Sequence, residues 1–229
     1  MCGKFTAMAS WAQVVAFSQP LTMDRYQNDN NKEVTFRVVG NLNVIVWDAE
    51  KLERRVLPMR WGFPDPKDWR RPKPIHARAE SIETTRAFAQ PFVDGQRGIV
   101  LFKTFNEAPD VEGPTQQYTV KMGDAWGAGF AFVWRRFDIE GIPTPMLACV
   151  MVTVPANALI ATLPADRMPA ILDNDDWAKW LGQEPATPGE VKACLKTQEG
   201  VRWTMTREER AAKAPRRKPS ASNPTGLDL

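Results

Sequence analysis

Short apolar runs rich in Val, Ile, Phe and Trp alternate with polar clusters along this chain of 229 residues. Partial two-residue alternation predicts strands over 34–39, 43–49 and 55–61, and again over 98–105, 116–122, 128–135 and 148–154. Helical signals are shorter. Ser10-Trp11-Ala12-Gln13 fits a capping box, with Trp11, Val14 and Val15 on one face. Ser81 to Gln90 reads as a helix closed by Pro91. Asp173 is placed to cap a helix that runs through Leu181 and stops at Gly182, and Thr187-Pro188-Gly189-Glu190 offers a capping box with proline at the first helical position. The polar stretch 23–33 predicts an exposed loop. Residues 62–75 hold Pro64, Pro66, Pro72 and Pro74, which predicts an extended loop. Many short strands with interspersed helices, and no regular strand–helix alternation, define an α+β class without internal repeats.

A hydrophobic content of 43% with 25% charged residues is ordinary for a globular chain and excludes wholesale disorder. No apolar run approaches the roughly 18 residues of a membrane span. The start, Met1-Cys2-Gly3-Lys4, lacks the regions of a secretory signal, so a cytoplasmic protein is expected. The net charge of +3 is too mild to announce a nucleic-acid partner. Its distribution changes that picture. From Arg207 onward there are six basic and three acidic residues, and the preceding 206 carry 24 of each sign. The division expected is a folded domain over 1–206 and a basic, disordered tail over 207–229. Within the neutral body, residues 54–78 carry eight basic side chains against Asp65 and Asp68, with Trp61 and Trp69 among them. That mixture suits phosphate neutralisation and base stacking on single strands, or equally a solvated loop with core tryptophans.

Three cysteines without paired spacing argue against a disulfide framework and a structural zinc site, and Cys149 and Cys194 read as buried thiols. Cys2 differs, because removal of Met1 would put an α-amine and a thiol on adjacent carbons. The unperturbed pKa values of these groups are about 8 and 8.5, so both have a reactive fraction near neutrality. Such a pair can condense with an aldehyde to a thiazolidine, or attack an amide with the amine as base. His76 is the lone histidine, a residue more often structural than catalytic but the one side chain here whose unperturbed pKa lies near neutrality; without clustered carboxylates or thiols no metal site can be built around it. Glu107 ends an apolar strand, where partial burial would suit a general acid. Arg167 could grip a phosphate or pair with an acid.

The order Met1-Cys2-Gly3-Lys4-Phe5, Met59-Arg60-Trp61-Gly62-Phe63, Ala77-Arg78-Ala79-Glu80-Ser81, Phe105-Asn106-Glu107 and Asp166-Arg167-Met168-Pro169-Ala170-Ile171-Leu172 resembles the SRAP family (SOS response-associated peptidase). The resemblance runs from Cys2 to about Leu181. It implies a single α+β domain built on a mostly antiparallel, barrel-like sheet flanked by short helices. It also implies binding of single-stranded DNA and trapping of abasic sites through a thiazolidine with the terminal cysteine; the family name records a proposed peptidase activity besides. On matching positions, Cys2 would be the nucleophile and Glu107 the proton donor and acceptor. Lys4, Arg60, Trp61, Arg78 and Arg167 would form the DNA-binding set. No cofactor, metal or membrane is implied, and a monomer is expected.

This chain departs from the family pattern close to that site. His76 stands where the family has Asn, and Ala165 where it has the His that assists opening of the abasic sugar. Asn106 and Ala108 replace aromatic residues beside the glutamate, and the family's Arg-Tyr-Asn segment survives only as Arg25-Tyr26. The loss at 165 predicts slow crosslinking unless His76 supplies the imidazole. Two other classes compete: a non-catalytic single-stranded DNA-binding module, and an N-terminal-nucleophile amidohydrolase. The last also begins with Cys-Gly but lacks here the Asn-Gly of its oxyanion hole.

Overall fold

The strand that carries Arg60 and Trp61 is also the seam of a closed barrel. The computed structural model describes residues 3–7, 21–22, 34–108, 116–123, 128–200 and 202–209. The helix expected at Ser10 and the loop expected at 23–33 lie outside these residues, as does Cys2. In chain order the strands are β1 (Lys4–Thr6), β2 (Leu21–Thr22), β3 (Thr35–Arg37), β4 (Asn41–Asp48), β5 (Glu53–Trp61), β6 (Pro64–Asp65), β7 (Asp68–Pro72) and β8 (His76–Arg78). They continue as β9 (Arg97–Phe102), β10 (Thr104–Glu107), β11 (Tyr118–Met122), β12 (Ala128–Phe137), β13 (Met146–Pro155), β14 (Arg167–Pro169), β15 (Ile171–Leu172) and β16 (Trp203–Arg207). Among the described residues three short α-helices accompany them: α1 (Ala89–Val93), α2 (Trp177–Leu181) and α3 (Pro188–Ala193).

Five strands pair in the cycle β5–β4–β9–β12–β13 and back to β5. All the steps are antiparallel except the closing one, where β13 meets β5 in parallel at Ala148–Arg60 and Cys149–Trp61. Beyond that point the same edge of β13 takes up β8, again in parallel, with Met151 opposite His76 and Thr153 opposite Arg78. A second sheet, in the order β16–β11–β10–β1–β3, packs against the barrel. Phe5 joins the two, lying 5.4 Å from Trp61 and 5.5 Å from Phe130 between ring centroids. The described residues are therefore mostly β, with a barrel and few helices.

Most strand expectations hold closely, because β-branched and aromatic runs with two-residue alternation have one buried face to satisfy; the run expected as one strand over 98–105 breaks at Lys103 into β9 and β10, which join different sheets. Three other expectations change. The proline-rich stretch is partly a hairpin, β6 with β7, in which Pro64 and Pro72 sit opposite one another at the open end. Prolines tolerate such an edge because no ladder hydrogen bond is asked of them there. The helix expected over 81–90 is a 3-10 turn at Ala79–Ser81 and a run of turns, and regular helix begins only at Ala89. Pro91 does not close that helix but sits in its first turn, where its missing N–H would have no intrahelical partner. Third, the segment expected as tail from residue 207 begins inside a strand: β16 runs to Arg207, and the Glu208 N–H bonds to the Gln117 carbonyl.

At the C-terminal side the capping box at Thr187 is present, with Thr187 and Glu190 bonded reciprocally. Gly182, at φ 85°, ends α2 in the left-handed region that glycine adopts without penalty.

Candidate functional site

Glu107 is the last residue of β10, and alternation along that strand puts it on the same face as the core residue Phe105. It is fully buried. Burial pushes its carboxyl above the ordinary range, and the negative charge of Asp166 adds to the rise. Asp166 immediately precedes the Arg-Met-Pro strand, so the glutamate motif and the arginine motif adjoin in space.

The N-terminal strand runs antiparallel to β10, with Lys4 opposite Asn106 and Phe5 opposite Phe105. Continuing that register by one step brings Gly3 across from Glu107. Cys2 is bonded to Gly3, and one trans peptide spans only about 3.8 Å between Cα atoms.

On the opposite face of this sheet lies a polar cluster that no local motif announces. Glu208, just beyond β16, accepts hydrogen bonds from Asn106 Nδ2 at 2.5 Å, Thr119 Oγ1 at 2.8 Å and Lys4 Nζ at 3.1 Å. Burial would raise its carboxyl, but these donors outweigh burial and hold it below the ordinary range. Gln117 Oε1 also accepts from Lys4, at 3.1 Å.

Arg167 is 8% exposed and forms a fork with Glu80: Nη1 to Oε1 at 2.6 Å and Nη2 to Oε2 at 2.8 Å. Its Nη2 also donates to the Thr153 carbonyl at 2.6 Å. Of the two roles the sequence left open for Arg167, pairing with an acid is the one its geometry displays. The acid comes from the Ala-Arg-Ala-Glu-Ser motif, so this ion pair ties two of the family-like segments together. The Arg167 guanidinium holds the Glu80 carboxyl below its usual range.

The remaining candidates separate into buried and exposed groups. Arg60 is buried, donating to the carbonyls of Trp69 and Arg70 at 2.5 Å each, and so pins the β6–β7 hairpin to the barrel. Trp61 is fully buried, its Nε1 bonded to the Ile75 carbonyl at 3.2 Å. It shapes the core and offers no face to a base. Gly62 follows at φ 104°, and a Cβ there would sit 2.3 Å from Pro72 Cβ, so the motif's glycine is fixed by the hairpin folding back. His76 is half-buried and packs edge-on to Trp61, with centroids 6.4 Å apart. Ala165, half-buried, occupies the turn before Arg167.

Of the eight basic residues in 54–78, Lys67, Arg70, Arg71, Lys73 and Arg78 are exposed, whereas Arg54 is buried against Gln183 and Arg55 pairs with Asp48. A cleft of about 450 Å³ opens between the hairpin and residues 137–140. Asp65, Asp68, Asp138 and Glu140 line it beside Lys67 and Arg70, so it lacks the single sign that a phosphate groove needs. Among the described residues, no group of three or more His, Cys, Asp or Glu side chains converges for a metal ion, and no helix is long and apolar enough to cross a membrane.

Barrel, N-terminal strand and buried glutamate together define a mostly β fold class. Residues 1–211 match the family described as SOS response associated peptidase (SRAP), and the chain belongs to that family. Among its relatives are the abasic site processing proteins YoqW and YoaM of Bacillus subtilis. Each is 24% identical over 202 residues, covering 85% of this chain, with 86% of YoqW and 85% of YoaM covered. Solved structures share the fold. A protein from Bordetella bronchiseptica superposes with a TM-score of 0.74 at 16% identity, covering 91% of this chain and 100% of that one. A protein from Bacteroides thetaiotaomicron gives 0.75 at 19% identity, covering 91% and 92%.

Proposed function

We propose that this chain processes abasic sites in single-stranded DNA, attaching to them covalently through Cys2 once Met1 is removed. The observation that supports the reading is the pairing of β1 with β10, the strand that ends in the buried carboxyl of Glu107. The names of the relatives, abasic site processing proteins, support the substrate class.

The chemistry follows from the groups present. The Cys2 α-amine adds to the aldehyde carbon of the ring-opened abasic sugar, and water leaves to give an imine. The thiol then adds across the C=N bond, sulfur to carbon and its proton to nitrogen, closing the thiazolidine. Glu107, whose carboxyl burial pushes above its ordinary range, can give a proton to the departing oxygen and recover one from the attacking group. His76 and the exposed Arg78 belong to the same reading, as an imidazole in place of the one missing at Ala165 and as a phosphate contact.

Incubation with an oligonucleotide carrying one abasic site, followed by a denaturing gel, tests this. A shifted band that Cys2→Ala abolishes is expected, together with an intact mass lacking Met1. Absence of that band sinks the covalent reading. Ala165 favours a second reading, a DNA-binding member that has lost the reaction. It predicts salt-dependent binding that survives Cys2→Ala, with no covalent product from the wild type.

A further inference from the structure

The Glu208 carboxylate sits where three donors from three strands converge. Lys4 from β1 reaches both its oxygens, at 3.1 and 3.2 Å, while Asn106 from β10 and Thr119 from β11 donate to one of them at 2.5 and 2.8 Å. Asn106 is 5% exposed, so its amide is a fixed part of the sheet and not a surface side chain that happens to lie nearby. A phosphodiester carries the same single charge and the same pair of terminal acceptor oxygens as a carboxylate. Donors arranged for one therefore suit the other.

We propose that Lys4, Asn106 and Thr119 form a seat for a phosphate group, which the chain's own Glu208 occupies until a nucleic-acid phosphate displaces it. This rests on the DNA-binding reading above and adds to it a masked anchor point, one residue from Glu107 on the other face of the same strand.

Displacement does not require the strand to peel away. The backbone N–H of Glu208 donates to the Gln117 carbonyl at 2.8 Å, and Gln116 Nε2 donates to the Glu208 carbonyl at 2.9 Å. These hold residue 208 in place whatever its side chain does. The carboxylate is 31% exposed, so it can swing outward into water while a phosphate enters. The seat also gives a role to Asn106, which stands where the family carries an aromatic ring.

The test uses the full chain, with inorganic phosphate and an undamaged single-stranded oligonucleotide as probes. In Glu208→Ala, phosphate at constant ionic strength should shift the Asn106 side-chain amide resonance saturably, and in the wild type it should shift it little. Oligonucleotide affinity should rise about tenfold, the scale of one added charge-assisted hydrogen-bonded contact. The slope of log K against log salt should steepen by about 0.7, one extra phosphate on a single strand. Glu209→Ala, which removes an equal charge one residue away, should produce neither change, and adding Asn106→Leu and Thr119→Val to Glu208→Ala should cancel the gain. If Glu208→Ala loosens the sheet, Glu208→Gln, which keeps an acceptor, should still show the phosphate shift at Asn106. Failure of phosphate to move that resonance in a folded Glu208 variant overturns the seat. A phosphate response without oligonucleotide binding in any variant upholds the seat and overturns the DNA-binding reading on which its use was based.

Discussion

Replacing Glu80 by Gln isolates the fork that joins two motifs. Arg167 is nearly buried and keeps its bond to the Thr153 carbonyl in the variant, but it loses the countercharge. A hydrogen bond to a charged group contributes about 1.5–3 kcal/mol net. Gln retains one of the two acceptors, and the Glu80 side chain is half-exposed, which screens the pair. The expected cost is therefore about 1–2 kcal/mol, or a fall in melting temperature of about 2–8 °C for a chain of this size. The pH dependence has a definite sign. Arg167 lowers the Glu80 carboxyl in the folded state. Its contribution is fully present above the unfolded value of about 4.3 and is lost as pH falls through the lower folded value. Urea melts of both proteins at pH 7 and pH 3 measure it: the gap should be present at pH 7 and narrow at pH 3. An equal gap at both, or none at pH 7, refutes the assignment of Arg167 to Glu80.

Glu107→Gln should act in the opposite sense. A buried acid raised in the folded state costs stability as pH climbs from the unfolded value towards the folded one, so the variant should outlast the wild type in urea at pH 8 but not at pH 4. It should also slow formation of the abasic-site adduct. Gly62→Ala forces a side chain into the left-handed region against Pro72 and should cost about 1–3 kcal/mol by thermal melt. Thr187→Ala removes the capping box of α3 and should cost about 1 kcal/mol, with no effect on DNA affinity.

The barrel strands were legible because each carries its own pattern of buried and exposed faces, as in 43–49 and 148–154. So was the cap at Thr187, which is a local chemical arrangement. What escaped was decided at long range. Trp203 to Arg207 does alternate, but its pairing with β11 settles its fate, and it merges in composition with the basic tail. Glu80 and Glu208 look like ordinary surface acids in the chain. Their partners, Arg167 and Lys4, lie 87 and 204 residues away. The same limit applies to the basic stretch 54–78. Charge counting found it, but only folding divides it into Arg60, which bolts the hairpin, and Arg78, which faces solvent.

The closing seam of the barrel has a consequence for how the chain is made. Arg60 and Trp61 can join the cycle only when Ala148 and Cys149 exist, and the first strand waits for Thr104–Asn106 before it has its partner on that side. Such distant pairings are the slow, entropically costly part of folding a β protein. During synthesis β1 therefore emerges early and stays without that partner until β10, a hundred residues later in the chain, has followed.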